Sequence, residues 1–323
     1  MRLLPLLLTT LLAASPVSRA EPPSAPADEP GAEAPPVEAS PETGPPGPQP
    51  LLADPPAARV EAGALDRRDE ADNGGFDFRR QDEDAYSIIS VARGLSTHKP
   101  FYLLPASWGR NVPGQDVEFV FQISAKQKLF ASDWYFGYTQ KSFWQLYDQD
   151  RSRPFRETNY NPELFYRWTP DPAKWKHWGA DIGIEHESNG QDLPASRSWN
   201  RLYIAPFQAK GRTLRYLKFW YRLPEDDKED AFDPKGDDNP DIYRFYGYAE
   251  AQVQRQLENG GLGHLMLRGN PATGKGAVAL NYSWPSSDGY VFYLVSVFHG
   301  YGESLIDYNR SITRIGFGFA LAR

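Results

Sequence analysis

The sequence predicts an all-β fold, a transmembrane antiparallel β-barrel of about twelve strands. Three observations carry that prediction. Tyr, Phe and Trp make up 14% of the 323 residues, and they recur in short alternating runs where a soluble core would favour Leu and Ile. After about Ser87 the chain divides into segments of roughly ten residues with period-two alternation, the length and texture of a barrel strand. No stretch of the mature chain approaches the ~20 consecutive apolar residues a spanning helix needs, so a membrane crossing must be made by strands.

The elements follow in order. Residues 1–20 read as a secretory signal: Arg2, an apolar run from Leu3 to about Ala14, and a Ser18-Arg19-Ala20 cleavage site with small first and third residues. Residues 21–85 form a linker. Its first part is dominated by Pro, Ala and Glu with almost nothing to bury, and the charged stretch 66–84 continues it. Such a composition cannot offset the entropy of ordering. Residues 86–323 form the barrel domain.

Within that domain Val117, Phe119, Phe121 and Ile123 alternate with Glu118, Gln122 and Ser124. Leu217, Phe219, Tyr221 and Leu223 alternate with Lys218, Trp220 and Arg222. Ile315, Phe317, Phe319 and Leu321 alternate with Arg314, Gly316, Gly318 and Ala320. An apolar set facing lipid and a small or charged set facing inward accounts for all three. A soluble β-sandwich also alternates, but it does not explain so many aromatics on the apolar parity.

The connectors alternate in length. Long polar ones, about 142–159, 189–197, 224–240 and 300–310, are interleaved with short ones near 208–212, 258–261 and 285–289. Outer-membrane barrels put short turns in the periplasm and long loops outside, so the long connectors are assigned to the cell surface.

Several function classes drop out. There are no cysteines, hence no disulfide framework or thiolate metal site. A net charge of −7 argues against nucleic acid, whose binding needs clustered Lys and Arg. The segment GNPATGKG at 269–276 approaches a phosphate-binding loop but lacks the Ser or Thr after Lys275, and the strand-like 277–282 follows it where a helix is required. Neither a G-x-S-x-G elbow nor an H-E-x-x-H helix occurs.

What remains is the segment DIGIEHESNGQDLPASRSWNR at 181–201. Read as a strand, it puts Ile182, Ile184, His186 and Ser188 on the lipid face and Asp181, Glu185 and Glu187 inward. The next strand puts Asn200 on the lipid side and Arg201 and Tyr203 inward. A connector of about nine residues lets Asn200 return beside His186. Two positions along a strand is about 6.6 Å, a gap that His and Ser side chains leaning together can close. A lone His-x-Ser of this kind is more often a polar pair at a wetted barrel rim. Nucleophile, base and base-orienter converging on one lipid-facing surface make a hydrolytic site an equal reading.

Here the sequence resembles the bacterial outer-membrane phospholipase A family over about residues 87–321. The resemblance is carried by YTQKSFWQL (138–146), RPFRETNYNPELF (153–165), HESNG (186–190), SRSWNRLY (196–203), DDNPDI (237–242) and GYGESLIDYN (300–309), in that order. It implies a twelve-stranded barrel, calcium (Ca2+) dependence, a homodimer and membrane phospholipid as substrate. Carried over, Ser188 is the nucleophile, His186 the general base and Asn200 its orienter, with Gln140 supporting Asn200 and the Gly190 N–H serving the oxyanion. The ion is held by Ser196 and the Gln191 carbonyl of one subunit and Ser152 of the other, and a second, weaker site would involve Asp192 and Asp238. Glu187 stands where an aspartate is common and should point inward. A non-catalytic outer-membrane pore and a lipopolysaccharide deacylase remain the alternatives.

Overall fold

The structure, a computed structural model, describes residues 95–171 and 173–323. The signal and linker expected over residues 1–85 lie outside the described residues, as does the start of the expected barrel domain at 86–94. The strands are β1 (Leu95–Thr97), β2 (Phe101–Arg110), β3 (Val117–Leu129), β4 (Trp134–Trp144), β5 (Phe155–Trp168), β6 (Trp178–Ser188) and β7 (Ser198–Lys210). They continue with β8 (Thr213–Arg222), β9 (Ala249–Gln256), β10 (Leu262–Asn270), β11 (Lys275–Pro285), β12 (Phe292–Tyr301) and β13 (Ser311–Ala322). Each pairs antiparallel with its neighbour in sequence from β2 round to β13, and β13 pairs with β2, so the sheet closes. The short β1 lies on the same edge of β3 as β2, with Leu95 opposite Gln127 and Tyr102 opposite Gln122. The two are one strand interrupted at His98-Lys99-Pro100, where Pro100 has no N–H to give the ladder. Twelve ring positions result, as expected.

Closure gives each of β2 to β13 a partner on both sides, which is the condition for spanning lipid with β-structure. The predicted parities hold. Phe317 is 48% exposed and its neighbour Arg314 3%, so apolar side chains line the outside and charged ones the lumen. Aromatic pairs mark both rims: Trp134 and Tyr166 at one end, Trp144 stacked on Phe155 at 5.1 Å at the other, where such rings sit at membrane interfaces.

The connectors 111–116, 145–154, 189–197, 223–248, 271–274 and 302–310 all emerge at one end, and 130–133, 169–177, 211–212, 257–261 and 286–291 at the other. The sidedness read from connector length stands, with 169–177 a longer member of the short-turn end. The Gly-rich 269–276 segment is a turn, closed by Thr273 and Gly274 N–H groups donating to the Asn270 carbonyl, and β11 follows it directly. In the 223–248 loop one helical turn, α1 (Tyr243–Tyr246), buries Phe245 and Tyr246, and the Tyr246 hydroxyl donates to the Gly302 carbonyl.

The lumen is crossed by charge pairs that leave a cavity of about 260 Å³ among them. Arg167 and Asp181 meet through two bonds of 2.7 and 2.8 Å. Glu185 accepts from Lys218 at 2.8 Å. Glu118 pairs with Arg156 at 2.6 Å and Arg314 at 2.7 Å, and Arg314 reaches Glu303 at 2.7 Å. A lumen packed in this way argues against the wide water channel that a pore needs. Glu118 is fully buried between its two guanidinium partners, and removing the shared carboxylate leaves Arg156 with Asp307 and Arg314 with Glu303 as their remaining acids. Glu118→Ala is therefore expected to cost about 1.5–3 kcal/mol, the worth of the charge-assisted hydrogen bonds it removes, read as an earlier urea midpoint in detergent micelles. A loss below about 1 kcal/mol would mean that water screens these ions as it does surface pairs.

Candidate active site

Alternation places the site before any contact is considered. On β6 the side chains of Ile182, Ile184, His186 and Ser188 share the outer face, and on β7 so do Ser198, Asn200, Leu202 and Ile204. His186 is the direct cross-strand partner of Asn200, and Ser188 of Ser198. Glu187 faces inward as expected, accepting from Trp199 Nε1 at 3.0 Å and Arg201 Nη2 at 2.8 Å.

His186 Nδ1 lies 3.0 Å from Asn200 Oδ1. An amide oxygen only accepts, so Nδ1 carries the proton and donates, and Nε2 keeps its lone pair. That is the tautomer a general base requires. Ser188 stands on the same face one pleat nearer the loops, with no hydrogen bond from its hydroxyl among the described residues. Hydroxyl and imidazole thus share one face two residues apart, about 6.6 Å along the strand.

The strand ends at Ser188 and the chain turns sharply. Asn189 staples that turn, its Nδ2 donating to the Ala195 carbonyl at 2.9 Å and its Oδ1 accepting from the N–H of Arg197 at 2.9 Å and of Gln191 at 3.3 Å. Gly190 follows at φ +62°, and a Cβ there would come within 3.1 Å of the Tyr160 ring. Both the backbone angle and the contact favour glycine. Its N–H has no acceptor among the described residues, so a donor next to Ser188 is available for a developing oxyanion.

The residues expected to hold a cation are only partly assembled. Ser196 Oγ donates to Asp238 Oδ2 at 2.8 Å, and Lys228 Nζ lies 2.5 Å from Asp238 Oδ1. No hydrogen bond ends on the Gln191 carbonyl among the described residues. Hydroxyl, carboxylate and free carbonyl are hard oxygen donors of the type calcium takes, so the donor set fits. Ser152 is exposed in the 145–154 loop at φ +57° and bonds to none of the other three. The Asp192 backbone carbonyl accepts from the N–H groups of Ala195 and Ser196, and its carboxylate is bonded to none of the other expected ligands.

Gln140 does not support Asn200. It lies on the outer face of β4, accepting from the Tyr138 hydroxyl and donating to Ser142 Oγ, both at 3.2 Å. Its parity was right, but β5 and β6 intervene, and three strand spacings are roughly 14 Å. The Asn200 amide donates instead to Glu225 Oε1 at 3.2 Å. Glu225 lies in the loop after β8, and burial together with Asp237 pushes its carboxyl up from the usual range, against the Asn200 hydrogen bond and Arg222. Neither Asn189 nor Glu225 was marked by the sequence reading. Asn189 lies inside the HESNG block beside its named neighbours, whereas no local pattern sets Glu225 apart in an acidic loop.

The Phospholipase A1 family profile matches residues 70–321. A Neisseria meningitidis serogroup B protein is 38% identical over 258 residues, 70% of this chain and 64% of that one. Phospholipase A1 of Escherichia coli K12 is 41% identical over 189 residues, 57% of this chain and 61% of that one. The chain thus spans less than two thirds of either relative. The crystal structure of the Salmonella typhi outer-membrane phospholipase dimer with bound calcium superposes with a TM-score of 0.62 at 33% identity, covering 70% of this chain and 91% of that one.

Proposed function

The chain belongs to the phospholipase A1 family and its barrel is one of the bacterial outer membrane, and from that premise we propose that it hydrolyses acyl esters of glycerophospholipids, Ser188 being the nucleophile and His186 its base. The observation that carries the reading is the His186–Asn200 hydrogen bond on the lipid-facing surface that Ser188 shares. An acyl chain still in the outer leaflet would meet this face without leaving the membrane.

Ser188 Oγ attacks the ester carbonyl carbon as its proton passes to His186 Nε2. The Gly190 N–H donates to the oxygen that becomes negative. Collapse of the tetrahedral adduct breaks the bond to the glycerol oxygen, which takes the proton from the imidazolium and leaves as lysophospholipid. Water, deprotonated by the same nitrogen, then attacks the acyl carbon, the bond to Ser188 Oγ breaks, Oγ takes the proton back from the imidazolium, and fatty acid departs. Asn200 holds the tautomer without carrying charge, so stabilisation of the imidazolium rests on the groups around it.

Ser196 and the Gln191 carbonyl would hold a calcium ion, with Ser152 supplied by the second subunit of a homodimer, and Asp238 would belong to a second, weaker site. When bound, the ion supplies positive charge for the oxyanion. Two neutral ligands fall well short of the 6–8 oxygens calcium takes, which is the reason for a shared site.

Mass spectrometry of products from defined phospholipids tests the reading. Fatty acid and lysophospholipid are expected with calcium, and a rate lower by about 10²-fold, the worth of an oxyanion donor, with chelator. Release of acyl chains from lipopolysaccharide but not from phospholipid would favour the deacylase alternative, and equal rates with and without chelator would remove calcium from the mechanism.

A further inference from the structure

We propose that Glu225 is a positioning residue of this site, its carboxylate fixing the orientation of the Asn200 amide and through it the tautomer of His186. The inference rests on the catalytic reading of Ser188 and His186 given above.

An asparagine amide is nearly symmetric in shape. Turned one way it offers Oδ1 to the imidazole, and turned the other way it offers Nδ2, a donor, which would select the proton on Nε2 and leave Ser188 without a base. Nothing intrinsic to the His186–Asn200 pair chooses between the two. Glu225 does as long as its carboxyl is ionised, because a carboxylate accepts and cannot donate. With Oε1 at 3.2 Å from Nδ2, the flipped amide would set oxygen against oxygen. The acceptor at Glu225 therefore requires Oδ1 to face His186, Nδ1 to carry the proton and Nε2 to be free.

The carboxylate is held in place by backbone and not merely by proximity. The Leu223 N–H donates to the Asn200 carbonyl at 2.8 Å, continuing the β7–β8 ladder one residue past the strand. Pro224 then restricts both its own φ and the conformation of Leu223, which delivers Glu225 beside the same residue. The Asp237 N–H donates to the Asp226 carbonyl at 2.8 Å, and Arg222 pairs with Asp237 and reaches the Pro240 carbonyl at 3.4 Å. The loop is therefore closed just beyond Glu225. Half-buried, with Asn200 its hydrogen-bond partner, Glu225 has a defined geometry rather than the freedom of a solvated surface acid.

The experiment measures kcat, KM and the rate of covalent labelling by an active-site sulfonyl fluoride for the wild type, Glu225→Ala, Glu225→Gln, Asn200→Ala and the Asn200→Ala/Glu225→Ala double variant. Folding is checked by the heat-modifiable gel shift. Glu225→Ala is expected to lower kcat and the labelling rate together by about 10- to 100-fold, a share of the 10²–10⁴ that a positioned general base contributes, with KM within about twofold. Glu225→Gln keeps an acceptor but can turn over with its partner, so it should fall between Ala and wild type. Once Asn200 is gone, Glu225→Ala should add nothing, because its effect passes through that amide. Equal labelling of wild type and Glu225→Ala, or losses that simply multiply in the double variant, would overturn the positioning role. Absence of labelling in the wild type, or retained hydrolysis in Ser188→Ala, would instead overturn the catalytic reading.

Discussion

Ser188→Ala is expected to lower hydrolysis by about 10⁴- to 10⁶-fold while leaving the folded, heat-modifiable barrel intact. The side chain lies on the outer face at the loop end of β6, outside the lumen packing, so shortening it removes the nucleophile and almost no burial. His186→Ala should match it, since a serine hydroxyl without a base is a weak nucleophile at neutral pH. Asn200→Ala should cost less than either, because nucleophile and base both remain. If Ser188→Ala kept a tenth of the activity, another group would have to be the nucleophile. Loss of the folded form would mean instead that this face is structural.

Complementation between subunits should produce an equally large change in the opposite direction. Ser152→Ala and Ser188→Ala proteins are each expected to be poorly active alone, the first lacking a ligand in both sites and the second lacking the nucleophile. In a mixed dimer, the intact Ser188 of one chain is served by the intact Ser152 of the other, so one complete site returns and activity should approach half that of the wild type. The basis is that Ser152 stands exposed at the loop end of β4 and β5, on the same side of the barrel as Ser196 but bonded to none of the other expected ligands. Ion affinity would then depend on association, and an enzyme living in its own substrate would be active only as a dimer. If crosslinked heterodimers form and nothing is restored, the ion is held within one chain.

How much of the site was legible in the sequence depended on distance along the chain. His186, Ser188 and Asn200 could be placed on one face because 14 residues and a single turn separate the ends of that set, and period-two alternation settles the rest. Gln140 was assigned the correct face and the wrong partner. Parity says which side of the sheet a residue occupies but not how many strands stand between it and another. Glu225 went unnoticed because it sits among Asp226, Asp227, Glu229 and Asp230, and which acid in that run meets Asn200 is decided by the Leu223–Asn200 backbone bond.

The sequence by itself determined the strands, their two faces and the end of the barrel that carries the long loops. Alternation of Cβ direction is a local property of an extended chain, and a lipid face selects apolar residues at every second position. Only the tertiary structure decided the pairs across the ring. Glu118 and Arg314 are 196 residues apart and meet at 2.7 Å, Leu305 and Asn159 are 146 apart, and β1 and β2 share one edge of β3 through a break at Pro100. Closing the sheet brings its first and last strands together and turns every inward side chain toward a common axis. Lumen partners are therefore chosen by ring position and height, which no window of neighbouring residues contains.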